Sequence, residues 1–534
     1  MSSRTPVTRP ISENQVINRD GGFAYLSSDE ARLVKWLLCG VDAGALVIPS
    51  LEERRRRKEP TIMDLNREAF IEAAGHAYSM LRSDPAKVLT ITTRVSERGR
   101  ARKNDQAIAV LAMAMDAHLP LSTRKMACEV FQRIVRTGTH LFQFLNCVQK
   151  FRGWGRSLKR TVAQWFTSKS EDELILQLVK YRGREGWTMT DVIRQSHPVG
   201  SKNIQDIIGW VVGKATYDHP MIRAFEDLQQ ANSAREVCQI LNRCRMPHET
   251  IPTEFKNSPE VWQTLLEQGV PVTALVRNLG NITSYGTLGN EAAVSLVIDT
   301  LSPVAVAKSR IHPLQVLDAA HVYAMGKGVL GSNEWKPVPQ ILNHLQKVVA
   351  WAFETCEPAN RRFRLGVDVS GSMTTHKISG SIVTSCASAA TAVALVINKF
   401  EPLCDFALFS ETLMRVNIDS ELTLLECERK MFDEFGGFGA ATNIGSVIQT
   451  AIDENVAFDC FLILSDMELN MGYHPMELIE EYRRRTGIPA KVIACNMKNT
   501  RRTVVDTPDN DPYCLDIVGF DPACPELISE FARM

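Results

Sequence analysis

Residues 368–372 read Asp-Val-Ser-Gly-Ser and place one carboxylate and two hydroxyls, Asp368, Ser370 and Ser372, just after the apolar run FRLGV. A second carboxylate, Asp466, follows the apolar run FLILS, and Thr442 sits in the Gly-rich stretch 436–445 (GGFGAATNIG) ahead of a helical pattern. Oxygen donors alone, completed by water, suit a hard near-octahedral ion, Mg²⁺ or another divalent cation; zinc prefers Cys and His. The plainer alternative is a strand-to-helix turn in which Ser or Asp caps the next helix.

A second group of residues could hold polyanions. Residues 133–202 carry 13 Lys/Arg against 5 Asp/Glu. The candidate RNA contacts there are Lys159, Arg160, Lys169, Lys180, Arg182, Arg184, His197 and Lys202, interleaved with Trp154, Trp165, Tyr181 and Trp187. Such cations bind phosphates by releasing condensed counterions, and aromatic rings stack unpaired bases. Basic runs at 54–58 (RRRRK) and 94–103 (RVSERGRARK) extend the patch. Against this stands the simpler reading of solvated helix faces, with RRRRK as a nuclear localisation signal and the Trp residues as core. The sequence carries no RNP1, KH, double-stranded-RNA-binding or zinc-finger signature, so recognition would rest on charge, shape and single-stranded ends.

The elements that must position these residues fall into two regions. Across 1–362 apolar residues recur at spacings of three and four, for example in 107–117, 125–135, 141–151, 158–166, 174–181, 313–325 and 341–353. Breakers such as Gly138, Gly153, Pro198, Pro271 and Pro303 separate the segments. This predicts an α-solenoid, and without a fixed-period consensus it would be of the degenerate HEAT or armadillo kind. Across 363–534 short runs rich in Val, Ile and Phe (363–368, 404–409, 458–465, 491–495, 515–519) alternate with helical patterns (378–400, 444–455, 475–486). That alternation predicts a doubly wound parallel sheet, with ligands at the C-terminal ends of its strands.

Charge divides at the same place. The chain as a whole is neutral, with 61 Lys+Arg and 61 Asp+Glu, yet residues 363–534 hold 14 basic against 25 acidic residues and residues 1–362 hold 47 against 36. A polyanion would meet the N-terminal region. At 534 residues the chain is long enough for several domains at roughly 150 residues each. No apolar stretch approaches the ~20 residues of a membrane span, and no signal-peptide core opens the sequence, so a cytoplasmic protein with a nuclear pool is expected. The 13 Cys lack zinc or disulfide spacing and read as reduced thiols. Nor is there a GxxxxGK[ST], HExxH, GxSxG or HxE…PCxxC pattern, so no enzyme is expected.

The DxSxS run, the later Thr and the Asp after a strand resemble the metal-ion-dependent adhesion site (MIDAS) of von Willebrand factor A domains. The frequent Gly after the second Asp is here Met467-Glu468. The order of a helical array and then such a domain, with QVINRDGGFAY near the start and DPACPELISEF near the end, resembles the TROVE family, named for telomerase-associated, Ro and vault proteins. The resemblance implies a closed ring of HEAT-like repeats over 1–362 and a von Willebrand factor A domain over 363–534. It implies a Mg²⁺ site made by Asp368, Ser370, Ser372, Thr442 and Asp466, with an acidic group of a protein partner completing the ion's shell. It further implies a cationic hole that takes single-stranded 3′ ends of misfolded noncoding RNAs, and an outer surface for small Y RNAs. The chain would then be a monomeric RNA quality-control factor at the core of a ribonucleoprotein. The competing readings are a metal-dependent protein-interaction scaffold and a metal-dependent nuclease.

Overall fold

The computed structural model describes residues 4–39, 74–329, 332–353, 356–378, 381–434, 441–498 and 500–534; the RRRRK run lies outside them. A short antiparallel hairpin, β1 (Gln15–Ile17) and β2 (Phe23–Leu26), precedes the first helix, Asp29–Cys39. Helices then follow one another from Gly75–Ser83 to Pro339–Trp351. Side chains set their starts. Ser170 and Glu173 form a capping box at Glu171–Lys180, whose first turn is acidic and whose last residue is Lys180, as the helix dipole favours. Thr188 and Asp191 do the same for Met189–Ser196. Between these helices the strands β3 (Gly183–Arg184) and β4 (Trp187–Thr188) turn through Glu185 and Gly186, both at positive φ. That two-residue turn is the kind that keeps paired strands aligned.

The helical array closes on itself. The Arg310 guanidinium donates to the Glu97 carbonyl at 2.9 Å, His312 Nε2 meets the Arg100 carbonyl at 3.1 Å, and Gln315 Nε2 donates to the Arg102 carbonyl at 2.9 Å. These bonds join segments more than 200 residues apart and make a ring of the solenoid expected from the sequence.

Beyond the ring lies a six-stranded sheet with β5 (Phe363–Asp368), β6 (Cys404–Phe409), β7 (Leu413–Arg415), β8 (Cys460–Ser465), β9 (Lys491–Asn496) and β11 (Cys514–Val518) in the order β11-β9-β8-β5-β6-β7. All neighbours are parallel except the short edge strand β7, which the sequence did not suggest. Strands β5, β8 and β9 are buried throughout, which is why they read as unbroken apolar runs. The helix expected over 378–400 begins only at Cys386, and Ser385 just before it is held in a bridge with Lys377.

The two regions share one apolar core that runs from Leu33 to Ala532 and includes Trp165, Phe142 and Phe363 at full burial. Truncating one such aromatic costs about 3–5 kcal/mol. The link between the regions is clamped by buried Glu401, which accepts the Ala359 and Asn360 amides and the Ser529 hydroxyl. Residues 4–26, counted with the helical region from sequence, instead pack on the sheet domain. β2 pairs with β10 (Arg502–Thr503), while Val7, Ala24 and Tyr25 join a second core with Phe461 and Ile479. Among the described residues no single helix is long and apolar enough to cross a membrane.

Candidate nucleic-acid interface and metal centre

The ring encloses a cavity of about 2380 Å³. Its wall presents ten Lys/Arg (Arg102, Lys103, Arg136, Lys180, Arg182, Arg184, Arg245, Lys256, Arg277, Arg310) against four acids (Asp105, Glu226, Glu249, Glu254). Their placement follows from the local folds. Lys180 ends the helix Glu171–Lys180, and the Glu185-Gly186 turn carries Arg182 and Arg184 on one hairpin. The Arg182 guanidinium stacks over the Phe225 ring at 5.0 Å. His140 also lines the wall; burial, reinforced by Arg136, pushes its imidazole down to about 4, so it is neutral at pH 7. Asn104, Gln143, Gln229 and Asn278 also line the wall, each with its amide nitrogen donating to a neighbouring protein oxygen.

The eight basic residues singled out from sequence therefore divide. Lys180, Arg182 and Arg184 face the cavity, whereas Lys159, Arg160, Lys169, His197 and Lys202 do not line it. These five lie on or just beyond the helices Arg156–Thr167, Met189–Ser196 and Lys202–Val211, where Arg160, His197 and Lys202 are exposed. Lys169 is already engaged: its ammonium bonds the Trp165 carbonyl at 2.9 Å over the indole ring, and burial lowers its pKa to about 8. One sequence window thus feeds two surfaces, because the helices run through the wall of the ring and charges alternate between its inside and outside. Trp165 is core, while Trp154 and Trp187 pack edge to face at 5.9 Å. Sequence reasoning missed Arg245, Lys256, Arg277 and Arg310, which are scattered outside the basic window and meet only when the ring closes. The 94–103 run mostly faces the seam: Arg98 pairs with Glu526, Arg100 with Asp521 and Arg102 with Asp318, leaving Lys103 with Arg102 on the wall.

At the C-terminal edge of the sheet, three loops converge. Asp368, at the end of β5, accepts the Ser370 amide at 2.9 Å and the Ser465 hydroxyl at 2.6 Å. Ser370 Oγ lies 3.0 Å from Ser372 Oγ. Asp466, just past β8, is fully buried, and the Thr442 amide donates to Asn470 of the same loop at 2.8 Å. Burial, then the charge of Asp466, pushes the Asp368 carboxyl up to about 7. A buried carboxyl whose charge is opposed by a neighbouring buried carboxylate is the situation a divalent cation relieves, so the donor set fits Mg²⁺. His376 Nδ1 approaches Asp466 at 3.3 Å. His474 is buried and anchors the N-terminal segment through the Arg9 carbonyl at 2.6 Å. Among the described residues no group of three His, Cys, Asp or Glu converges. Met467 occupies the position of the family's frequent Gly and adopts its conformation, at φ 60°.

Comparisons with known proteins agree with this architecture. The TROVE domain family matches residues 16–242 and 241–351, and the Ro60 vWA domain family matches 362–532. A Deinococcus radiodurans protein named RNA-binding protein RO60 is 32% identical over 541 residues, spanning 99% of this chain and 97% of its own. A Caenorhabditis elegans protein of the same name is 26% identical over 606 residues, with 98% and 90% covered. The crystal structure of the D. radiodurans RO (RSR) protein superposes with a TM-score of 0.71 at 30% identity, covering 95% of this chain and 99% of that one. A helical ring joined through one core to a von Willebrand factor A domain, matched end to end by these relatives, places the chain in the TROVE family of Ro proteins.

Proposed function

We propose that this protein binds RNA and performs no chemistry on it. The observation that carries the reading is the cavity wall, with ten Lys/Arg against four acids in an otherwise neutral chain. A cationic enclosure suits the phosphates of a single strand, and membership of the TROVE family is what points to free 3′ ends of misfolded noncoding RNAs as its ligands. The exposed Arg160, His197 and Lys202, with Lys159, form a separate outer surface for structured small RNAs of the Y class. Both relatives are named as RNA-binding proteins, which supports the assignment. The protein then acts in RNA quality control as a monomeric ribonucleoprotein core in the cytoplasm and nucleus. Asp368, Ser370, Ser372, Thr442 and Asp466 would hold Mg²⁺, which would supply a Lewis-acidic point for a protein partner's carboxylate.

The test separates the two surfaces. Alanine at Lys180, Arg182 and Arg184 together should weaken binding of a single-stranded oligonucleotide and lower its salt slope by about 0.7 per lost phosphate contact. Alanine at Lys159, Arg160 and Lys202 should spare that ligand and weaken a folded stem-loop RNA. Equal loss of both ligands from either triple variant would refute the two-surface assignment, and RNA shortening in Mg²⁺ that EDTA stops would refute the non-enzymatic one.

A further inference from the structure

One acid in the cavity wall occupies a place where a phosphate would be expected. Glu249 Oε1 lies 3.1 Å from the Lys180 ammonium, and its Oε2 lies 3.1 Å from His248 Nδ1. The other wall acids are differently engaged: Asp105 accepts from Gln143 Nε2 at 3.1 Å, Glu226 accepts from Trp210 Nε1 at 2.9 Å, and Glu254 is exposed with no ion pair to a described residue. The backbone on which Glu249 stands is well defined. It sits in the short 3₁₀ turn His248–Thr250, entered through Pro247 and left toward Pro252. The turn is pinned by the Thr250 hydroxyl on the Pro247 carbonyl at 2.7 Å and by Gln229 Nε2 on the Thr250 carbonyl at 3.1 Å. The His248 ring faces the Trp262 ring at 5.9 Å, and Trp262 Nε1 is fixed to the Lys256 carbonyl at 2.8 Å. The backbone that carries Glu249 is therefore fixed, and its partly exposed carboxylate lies within ion-pair distance of the end of the helix Glu171–Lys180.

A carboxylate within ion-pair distance of a Lys ammonium offers that ammonium the same kind of anionic oxygen that an RNA phosphate would. We infer that Glu249 is a built-in competitor for RNA phosphate at Lys180, which keeps that subsite occupied in the empty cavity and must release it when a strand enters. The inference rests on the RNA-binding reading of the cavity. Its consequence is a cavity tuned below its maximal affinity. Each strand that reaches Lys180 breaks the Lys180–Glu249 pair before it gains a phosphate contact, so strands too short or too structured to reach this depth gain nothing from Lys180.

The experiment measures binding of a fluorescein-labelled oligouridylate by anisotropy across a salt series for wild type, Glu249→Gln, Glu254→Gln, Lys180→Ala and Lys180→Ala/Glu249→Gln. Glu254→Gln removes one wall charge without freeing a lysine and so reports the general field. Glu249→Gln should tighten binding about fivefold, against under about twofold for Glu254→Gln, and steepen the salt slope by about 0.7. In the Lys180→Ala background the extra gain should vanish. Glu249→Ala gives the same comparison without a new amide, and thermal melting of each variant verifies folding. Glu249→Gln matching Glu254→Gln, or binding more weakly than wild type, would overturn the inference while leaving RNA binding intact. Absence of binding by wild type would instead defeat the RNA-binding reading, and the inference with it.

Discussion

Replacing Arg100 by Ala should open the seam where the ring meets the sheet domain. Arg100 Nε approaches the two Asp521 oxygens at 2.9 and 3.2 Å, with the Asp521 side chain 2% exposed and that of Arg100 12% exposed. Deleting one member of a buried pair strands the other charge and costs about 3–5 kcal/mol. Here the Ala523 amide still donates to Asp521 at 3.1 Å, and Arg100 keeps some access to water, so about 3 kcal/mol is expected. Because the core is continuous across the two regions, the loss should appear in the main urea transition followed by far-UV circular dichroism, as a lower midpoint. Adding Asp521→Asn to Arg100→Ala removes the stranded charge and should restore about 1–2 kcal/mol. A loss under about 1 kcal/mol for Arg100→Ala, or no recovery in the double variant, would show that this pair does not hold the ring to the sheet domain.

Two further outcomes can be measured. Burial, with Arg102 nearby, lowers the His312 imidazole to about 3, while Nε2 touches the Arg100 carbonyl and Nδ1 accepts the Leu314 amide. Since the folded value is depressed, the unfolded chain takes up the proton first as pH falls, so stability held above about 6.5 is lost toward pH 3, on the order of 4 kcal/mol in all, and His312→Gln should flatten that slope in acid titration. Asp368→Ala should abolish the Mg²⁺ heat seen by isothermal titration calorimetry with wild type, and equal affinity would remove the metal assignment.

Buried parallel strands announce themselves, and the limits expected for β5 and β6 and for the helix Pro475–Thr486 coincide with those observed. What failed to show were features made by distance along the chain. The hairpin β1–β2 comprises strands of three and four residues whose partner β10 lies at the other end of the sequence, so no local pattern reveals it. The cavity was visible as excess charge but not as a shape, because Arg277 and Arg310 join Lys180 only through ring closure. Lys169 looked like a phosphate contact, yet its ammonium closes a helix end at the Trp165 carbonyl. Met467 signalled a departure from the family pattern that its backbone does not follow: it takes the left-handed conformation a Gly would, at about 1 kcal/mol or more, and its buried side chain holds it there.

The pairing of β2 with β10 has a consequence for biosynthesis. Tyr25 leaves the ribosome hundreds of residues before its partner Thr503, so the outer face of the sheet domain stays open through nearly all of translation. The early hairpin must wait beside a helical region that is already acquiring structure, its unpaired β2 edge available to other nascent chains on the same polysome. Expression host and growth temperature should therefore govern soluble yield more strongly than the stability of the finished molecule does.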